Sequence, residues 1–227
     1  MVNITIYVEG GRVDGDQSAE TVSNNALFRE GFHRLFSQVL DEDSFNLIIQ
    51  PIGSVTRAKK YLRKATWSRE PALVLIDLDG PPQLRTERLS RFQGLNTTLI
   101  FFMIQEMEAW IISQTEVIES YARARWLIRK HPEQRLRDDT LLAGRDPQQL
   151  DKPSDRLNNL FRKYFRAVRQ RGGERTEKLR SYSKTKDGPV LIGMLNLTQL
   201  TDTFGDAAAL IRKVQSIQRE HLADQTG

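Results

Sequence analysis

The amino-acid sequence predicts an α/β fold, in which helices flank a mostly parallel sheet and a helical, basic C-terminal part follows. Short apolar runs alternate with amphipathic stretches through the first hundred residues, as parallel strands joined by helical crossovers would. Apolar residues then recur mainly at helical spacing. Basic residues are concentrated in that second part of the chain.

Each predicted element rests on a local pattern. Apolar runs of strand length occupy residues 3–8, 45–49, 72–76 and 98–104. Helical spacing predicts helices over residues 21–40, 55–65 and 86–92, and then over 106–113, 116–130, 155–170 and 206–221. Residues 10–16, Gly172-Gly173 and the polar stretch 138–153 are predicted to be loops or hinges. We therefore expect an α/β domain at residues 1–113 and a helical extension at 114–227 packed on it.

Composition excludes several classes of site. The 227 residues include no Cys and only three His, so disulfides, thiolate metal sites and cysteine nucleophiles are excluded and a His-rich zinc site is disfavoured. Oxygen ligands remain, and they favour Mg²⁺ or Mn²⁺. The sequence shows no secretory signal and no apolar stretch of membrane-spanning length, which predicts a cytoplasmic protein without a membrane segment.

Positive charge is concentrated in one region. Residues 152–186, the basic segment, contain 12 Lys or Arg and 3 Asp or Glu, a local balance of +9. The whole chain carries +5, so the remainder carries −4. Such a segment suits a polyanion such as DNA or RNA, and the alternative is a solvated helix face.

Acidic residues follow two of the predicted strands. Glu9 closes the first strand, and Asp77-Leu78-Asp79 closes the third. In an extended segment Asp77 and Asp79 would project to one side, about 7 Å apart at Cα. If the two strands are neighbours, three carboxylates meet at the carboxyl edge of the sheet, where a divalent cation would neutralise them. The alternative is that the aspartates form a turn or cap a helix.

Six short motifs are spread through the chain: Tyr7-Val8-Glu9-Gly10-Gly11, Arg29-Glu30-Gly31-Phe32, Gly53-Ser54, Leu75-Ile76-Asp77-Leu78-Asp79, Met107-Glu108-Ala109-Trp110 and Tyr182-Ser183-Lys184. They resemble the signatures of the bacterial domain-of-unknown-function 4276 family, and the Glu-Ala-Trp element is the most specific. The acid after the first strand and the DxD after a later one also resemble the wider Toprim fold, which topoisomerases, primases and OLD-type nucleases share.

The resemblance implies a Toprim-like, Rossmann-like fold and a metal-dependent nuclease of anti-phage defence, often encoded beside an ABC- or OLD-like ATPase partner. Glu9, Asp77 and Asp79 would hold Mg²⁺ or Mn²⁺, and Glu108 and Lys184 would complete the catalytic residues, with Lys186 as a substitute for Lys184. The chain departs from the family after Glu9, where a close second acid is missing. Asp14, Asp16 and Glu20 are the candidate substitutes.

Some residues have competing interpretations. On one helix Glu106 and Glu108 would lie about 200° apart, so only one would face the sheet edge, and the resemblance favours Glu108. Trp110 is predicted to lie in the core, and Gly31 to allow close approach of its helix to the sheet.

Two other functions compete with the nuclease. The first is an inactive Toprim-like module that binds nucleic acid or another protein. The second is a phosphotransfer domain of receiver or haloacid-dehalogenase type, which is disfavoured because Glu9 is a poor phosphoacceptor at the end of the first strand.

Overall fold

A four-stranded parallel sheet forms the centre of the protein. The structure, a computed structural model, describes residues 2–11, 18–40, 43–171 and 174–226. The strands are β1 (Val2–Val8), β2 (Phe45–Pro51), β3 (Ala72–Asp77) and β4 (Ile100–Met103), in the order β2-β1-β3-β4. In the parallel pairing of β1 with β3, Val8 lies beside Leu75. The predicted α/β fold with its parallel sheet is confirmed, and so is the contact between the first and third strands.

Helices connect and flank the strands. Three of them lie between strands of the sheet: α1 (Ala19–Phe36), α2 (Ala58–Trp67) and α3 (Arg85–Ser90). Six follow the sheet: α4 (Met107–Ile112), α5 (Thr115–Ala124), α6 (Pro153–Tyr164), α7 (Gly188–Ile192), α8 (Leu197–Thr203) and α9 (Gly205–Thr226). The sequence prediction missed α7 and α8, because Gly188-Pro189 at the start of α7 indicates a turn and the Thr-rich sequence of α8 has weak helix propensity.

The predicted helix over residues 155–170 is wrong at its C-terminal end. A second, antiparallel sheet contains β5 (Ile128–Arg129), β6 (Phe165–Arg171) and β7 (Glu174–Leu179), in the order β5-β6-β7. The helix ends at Tyr164, and the residues after it are extended because Phe165 pairs with Arg129 of β5 and Arg166–Arg171 pair with β7. The helix predicted over residues 116–130 likewise ends early, at Ala124, and β5 follows it. Two stretches of strand length separated by Gly-Gly are typical of a hairpin, whereas the spacing of apolar residues in the first stretch favours a helix.

The C-terminal helices pack directly on the α/β part. Asp206 at the start of α9 accepts the backbone N–H of Phe102 in β4 at 3.3 Å and pairs with Arg85 of α3 at 3.0 Å. Gly31 of α1 lies against Pro189 of α7, where an added Cβ would stand 2.1 Å from the proline carbonyl oxygen. The close approach predicted at Gly31 is therefore to a helix and not to the sheet.

Among the described residues, no helix combines the length and apolar character needed to cross a membrane. Gly172-Gly173, Asp14, Asp16 and most of the loop predicted over residues 10–16 lie outside the described residues. The division of the chain at residues 113 and 114 stays a prediction, although buried residues of both parts belong to one hydrophobic cluster.

Candidate active site

Glu9 joins three segments at the carboxyl edge of the sheet. Its backbone N–H donates to Leu75 at 2.8 Å, so the pairing of β1 with β3 continues to this residue. Its carboxylate accepts the backbone N–H of Asp77 at 3.0 Å and that of Val55 at 2.9 Å. Both oxygens of Glu9 are thus held by backbone donors, one on β3 and one in the turn before α2.

Asp77 is the last residue of β3 and is half-buried beside Glu9. Its Oδ1 accepts the backbone N–H of Met107, the first residue of α4, at 3.1 Å. Burial raises the pKa of Asp77 well above its ordinary value; Lys184 opposes that rise, and Glu9 and Glu108 add to it. Burial also raises the pKa of Glu9, against the effect of its backbone donors. The two carboxylates therefore form a crowded acid pair.

Asp79 departs from the geometry predicted for the DxD motif. The extended strand ends at Asp77, and Asp79 has a φ of +55°, in the left-handed region. Its N–H donates to Gln105 at 2.8 Å, and its carboxylate pairs with Arg88 of α3. The side chains of Asp77 and Asp79 therefore do not follow the period-two alternation of a strand. Asp79 remains near enough to add to the rise in the pKa of Glu9.

Lys184 lies among the remaining acids of the site. Its Nζ is 3.2 Å from Glu108 Oε2 and 3.4 Å from Glu106 Oε2. Burial acts to lower the pKa of Lys184, but Glu108, Asp77 and Glu106 together outweigh that effect and raise it. Glu106 precedes the first turn of α4 with an extended backbone, so the helical separation predicted for the two glutamates does not apply and both contact Lys184.

Glu108 is fully buried, as Trp110 is, and both lie on α4. The prediction that Trp110 belongs to the core is confirmed. Tyr182 donates its hydroxyl to Glu108 Oε1 at 3.0 Å, while Oε2 accepts no hydrogen bond from the described residues and lies 3.2 Å from the Lys184 ammonium. Burial raises the pKa of Glu108, and Lys184 opposes that rise. The ammonium group is therefore the main partner of a carboxylate that has no access to solvent.

Sequence reasoning missed the residue that holds Lys184 in place. Asp187 is 2% exposed and accepts the Tyr121 hydroxyl at 2.6 Å and the Ser183 backbone N–H at 2.8 Å. The Arg180 guanidinium also donates to Asp187. These bonds close the turn that carries Lys184. The available signal was an Asp directly before Gly-Pro, a pattern typical of a helix start.

The acid pair opens into a cavity of about 380 Å³. Its walls come from the end of β1, the start of α1 and the Lys184 turn, and they include Glu9, Gly10, Glu20, Asp77 and Lys184. Glu20, in the wall of this cavity, pairs with Lys186 at 3.1 Å, whereas Asp79 and Glu108 are not part of the wall. Of the five predicted site residues, three therefore line the cavity and two do not.

The donor chemistry of this cavity suits a hard divalent cation, because its wall combines two neighbouring carboxylates whose pKa values are raised by burial. Within the part of the chain that the structure describes, however, no three His, Cys, Asp or Glu side chains are arranged to hold a metal ion. Glu9 and Asp77 are therefore the residues that fit a cation, and Asp79 is engaged with Arg88 instead.

Comparison with protein-family models, curated proteins and solved structures gives no match to this chain. The resemblance to the domain-of-unknown-function 4276 family accordingly stays a prediction from its motifs.

Proposed function

We propose that the protein is a Mg²⁺- or Mn²⁺-dependent nuclease of Toprim type, acting on phosphodiester bonds of DNA or RNA in the bacterial cytoplasm. The observation that carries the proposal is the placement of Glu9, Asp77 and Lys184 on one cavity wall at the carboxyl edge of a parallel sheet. Ligands collect at this edge in open α/β sheets. The role in anti-phage defence and the ATPase partner come from the motif resemblance alone.

Glu9 and Asp77 would hold the cation, which when bound lowers the pKa of an attacking water and offsets charge on the phosphoryl oxygens. Backbone N–H groups fix the position of both oxygens of Glu9, although burial raises its pKa overall. Fixed oxygens suit a metal ligand, whose negative charge a bound cation would stabilise, better than a base that must exchange a proton. Glu9 is therefore assigned to binding and positioning.

Lys184 supplies positive charge at the same wall. Its ammonium group is half-exposed, so it reaches the cavity while it stabilises the buried Glu108. A cation in this position would contact the scissile phosphate or steady the leaving oxygen. Glu108 and Tyr182 then act indirectly, by holding the amine of Lys184 near the acid pair.

A cleavage assay tests the proposal. Purified protein is incubated with plasmid, single-stranded DNA and tRNA, with Mn²⁺ or with EDTA, and with and without an ATPase encoded beside it. We expect Mn²⁺-dependent cleavage that Glu9→Ala and Asp77→Ala abolish while circular dichroism stays unchanged. Asp202→Ala removes an exposed carboxylate on α8 and serves as the control. Cleavage that survives both site substitutions would reject the assignment.

A second candidate, an inactive Toprim-like binding module, is favoured by one observation. Lys184 already places a positive charge between Glu106 and Glu108, and Arg88 engages Asp79, so side chains of the protein neutralise part of the acid edge. The cleavage assay separates the two functions. The module, whose acids hold a structural ion or none, predicts no Mn²⁺-dependent cleavage of any of the three substrates, whether or not titration calorimetry detects Mn²⁺ binding.

A further inference from the structure

Helix α2 presents a strongly basic face next to the candidate active site. Residues 57–69 contain six Lys or Arg and no Asp or Glu. On the helix itself Lys59, Lys60, Arg63 and Lys64 are exposed. Ala58, Tyr61, Leu62 and Ala65 fill the opposite, buried face. The exposed half of α2 is therefore almost uniformly cationic.

Within the described part of the chain, acidic side chains leave most of these charges unneutralised. Among the described residues, Lys59, Lys60 and Arg63 form no ion pair with a carboxylate. Lys64 lies over the Tyr7 ring, 5.5 Å from its centre. A solvated helix face normally alternates charges of both signs, which give side-chain pairs along the helix. The absence of such pairs here leaves a surface that attracts an anion.

A groove of about 510 Å³ continues this face between α2 and α3. Its walls are Val55, Thr56, Lys59, Arg88, Arg91 and Phe92. Val55 also donates its backbone N–H to Glu9, so one residue of the groove wall contacts the acid pair directly. Arg91 pairs with Glu87 at 3.3 Å, but both side chains are more than half exposed and such a pair is weak.

Arg88, in the wall of this groove, has a guanidinium that is only partly paired by the described residues. Its side chain is 10% exposed, and its Nε is buried without a hydrogen-bond acceptor. The other end of the guanidinium pairs with Asp79 and donates to the Asp77 carbonyl oxygen at 3.4 Å. Burying a donor of a charged group without an acceptor lowers the stability of the fold. Arg88 therefore has unused hydrogen-bonding capacity in the wall of this groove.

The face is better suited to a nucleic acid than to a lipid surface. A helix that inserts into a membrane interface exposes several large apolar residues, whereas the apolar residues of α2 are buried in the core. Trp67, at the C-terminal end of α2, is the exception and is 85% exposed. An aromatic ring beside a row of cations is the arrangement that binds single strands by stacking and backbone contacts.

We propose that the exposed face of α2, together with the groove between α2 and α3, binds the phosphate backbone of a single-stranded nucleic acid and leads it to the acid pair. Lys59 and Arg63 are one helical turn apart, about 6 Å along the axis, and contact successive parts of the backbone. Trp67, about 12 Å from Lys59 along the helix, stacks on an unpaired base. The inference rests on the proposed function only in taking nucleic acid as the ligand.

Fluorescence anisotropy with labelled oligodeoxythymidine and oligouridine tests this proposal, with EDTA present so that binding is measured without cleavage. We expect Lys59→Gln with Arg63→Gln to lower the affinity at least tenfold at low salt. The slope of log affinity against log salt should fall by about 1.4, because each single-strand phosphate contact contributes about 0.7. Trp67→Ala should weaken binding roughly five- to hundredfold.

Matched substitutions control for charge and for exposed aromatic surface. Arg212→Gln with Arg219→Gln removes two exposed cations from α9, and Trp126→Ala removes a side chain that is 87% exposed. Both controls should bind like the unsubstituted protein. Unchanged affinity of the α2 variant for both oligonucleotides overturns the proposal. Duplex DNA and anionic vesicles are tested in parallel, and binding to either of them without binding to the single strands also overturns it, as does binding to no probe.

Failure of this proposal and failure of the nuclease proposal give different results. Binding that depends on α2 without any Mn²⁺-dependent cleavage supports the surface and rejects the enzyme. Cleavage that depends on Asp77 but proceeds with unchanged affinity in the α2 variant supports the enzyme and rejects the surface.

Discussion

The Glu9 carboxylate accepts the backbone N–H of Asp77 at 3.0 Å, across the junction where β1 and β3 both end. Parallel pairing of the two strands brings Glu9 to Asp77, and a second backbone bond from Val55 fixes the other oxygen of Glu9. The acid pair is consequently held at the edge of the sheet, by β3 on one side and by the turn before α2 on the other.

Mn²⁺ affinity should rank the three predicted ligands. Glu9→Gln and Asp77→Asn each remove a carboxylate from the cavity wall. Each should lower the affinity for Mn²⁺ by about 10- to 100-fold or more, because substitution of a residue that only supports a metal ligand already has an effect of that size. Asp79→Asn should have a smaller effect, because Asp79 is engaged with Arg88. Titration calorimetry measures all three. An effect of Asp79→Asn as large as that of Asp77→Asn would place Asp79 in the metal site.

Stability should fall as pH rises through the raised pKa of Asp77. Burial raises this pKa above its ordinary value of 3.8, so the folded protein binds the proton more tightly than the unfolded chain does. The stabilising contribution is complete below pH 3.8 and is lost as the pH passes the raised pKa. Asp77→Asn keeps the acceptor for Met107 and removes the charge. We expect its melting temperature, measured in EDTA, to exceed that of the unsubstituted protein at pH 7.

The two melting temperatures should converge in acid. Asp202→Asn, at an exposed position on α8, should leave the pH dependence unchanged. A constant difference between Asp77→Asn and the unsubstituted protein from pH 4 to pH 8 would contradict the raised pKa.

Lys184 and Glu108 should be energetically coupled. Lys184→Met leaves the buried Glu108 Oε2 without its cation, which should lower the free energy of unfolding by about 1–3 kcal/mol. Glu108→Gln in the same chain removes the uncompensated charge and should restore most of the loss. Urea denaturation of both single variants and the double variant measures the coupling. Additive effects would show that the pair contributes nothing beyond its separate members.

Gly31→Ala should loosen the contact between α1 and α7. The new Cβ would stand 2.1 Å from the Pro189 carbonyl oxygen, so a backbone must shift, at a cost of roughly 1–3 kcal/mol. Gly205→Ala, at the start of α9, has no heavy atom within 4 Å of the added Cβ and should change stability by less than about 0.5 kcal/mol. Thermal unfolding of both variants tests the difference, and equal melting temperatures would contradict it.

The strands and the acid pair were predictable because their signals are local. Residues 72–76 form a continuous apolar run and are fully buried in the centre of the sheet, as such a run requires. Glu9 directly follows β1 and Asp77 is the last residue of β3, and parallel pairing of the two strands brings these ends together.

The local environment of other site residues was not predictable from spacing. A left-handed residue at Asp79 and a helix that begins one residue after Glu106 changed where those carboxylates lie. Both depend on backbone hydrogen bonds to distant segments, such as that from Asp79 to Gln105. The strand β6 likewise replaced a predicted helix because β7 supplies its hydrogen-bond partners.

By itself the sequence determined the parallel α/β sheet, its buried strands and the presence of acids at two strand ends, because hydrophobic periodicity and strand-end position act over a few neighbouring residues. Only the tertiary structure decided which cation meets which acid: Lys184 with Glu106 and Glu108, and Arg88 with Asp79. It also decided that the turn leading into the cationic helix α2 contacts Glu9. Lys184 is 78 positions from Glu106 in the chain, and Arg88, although only nine positions from Asp79, lies on a separate element, so the folded backbone decides both pairings.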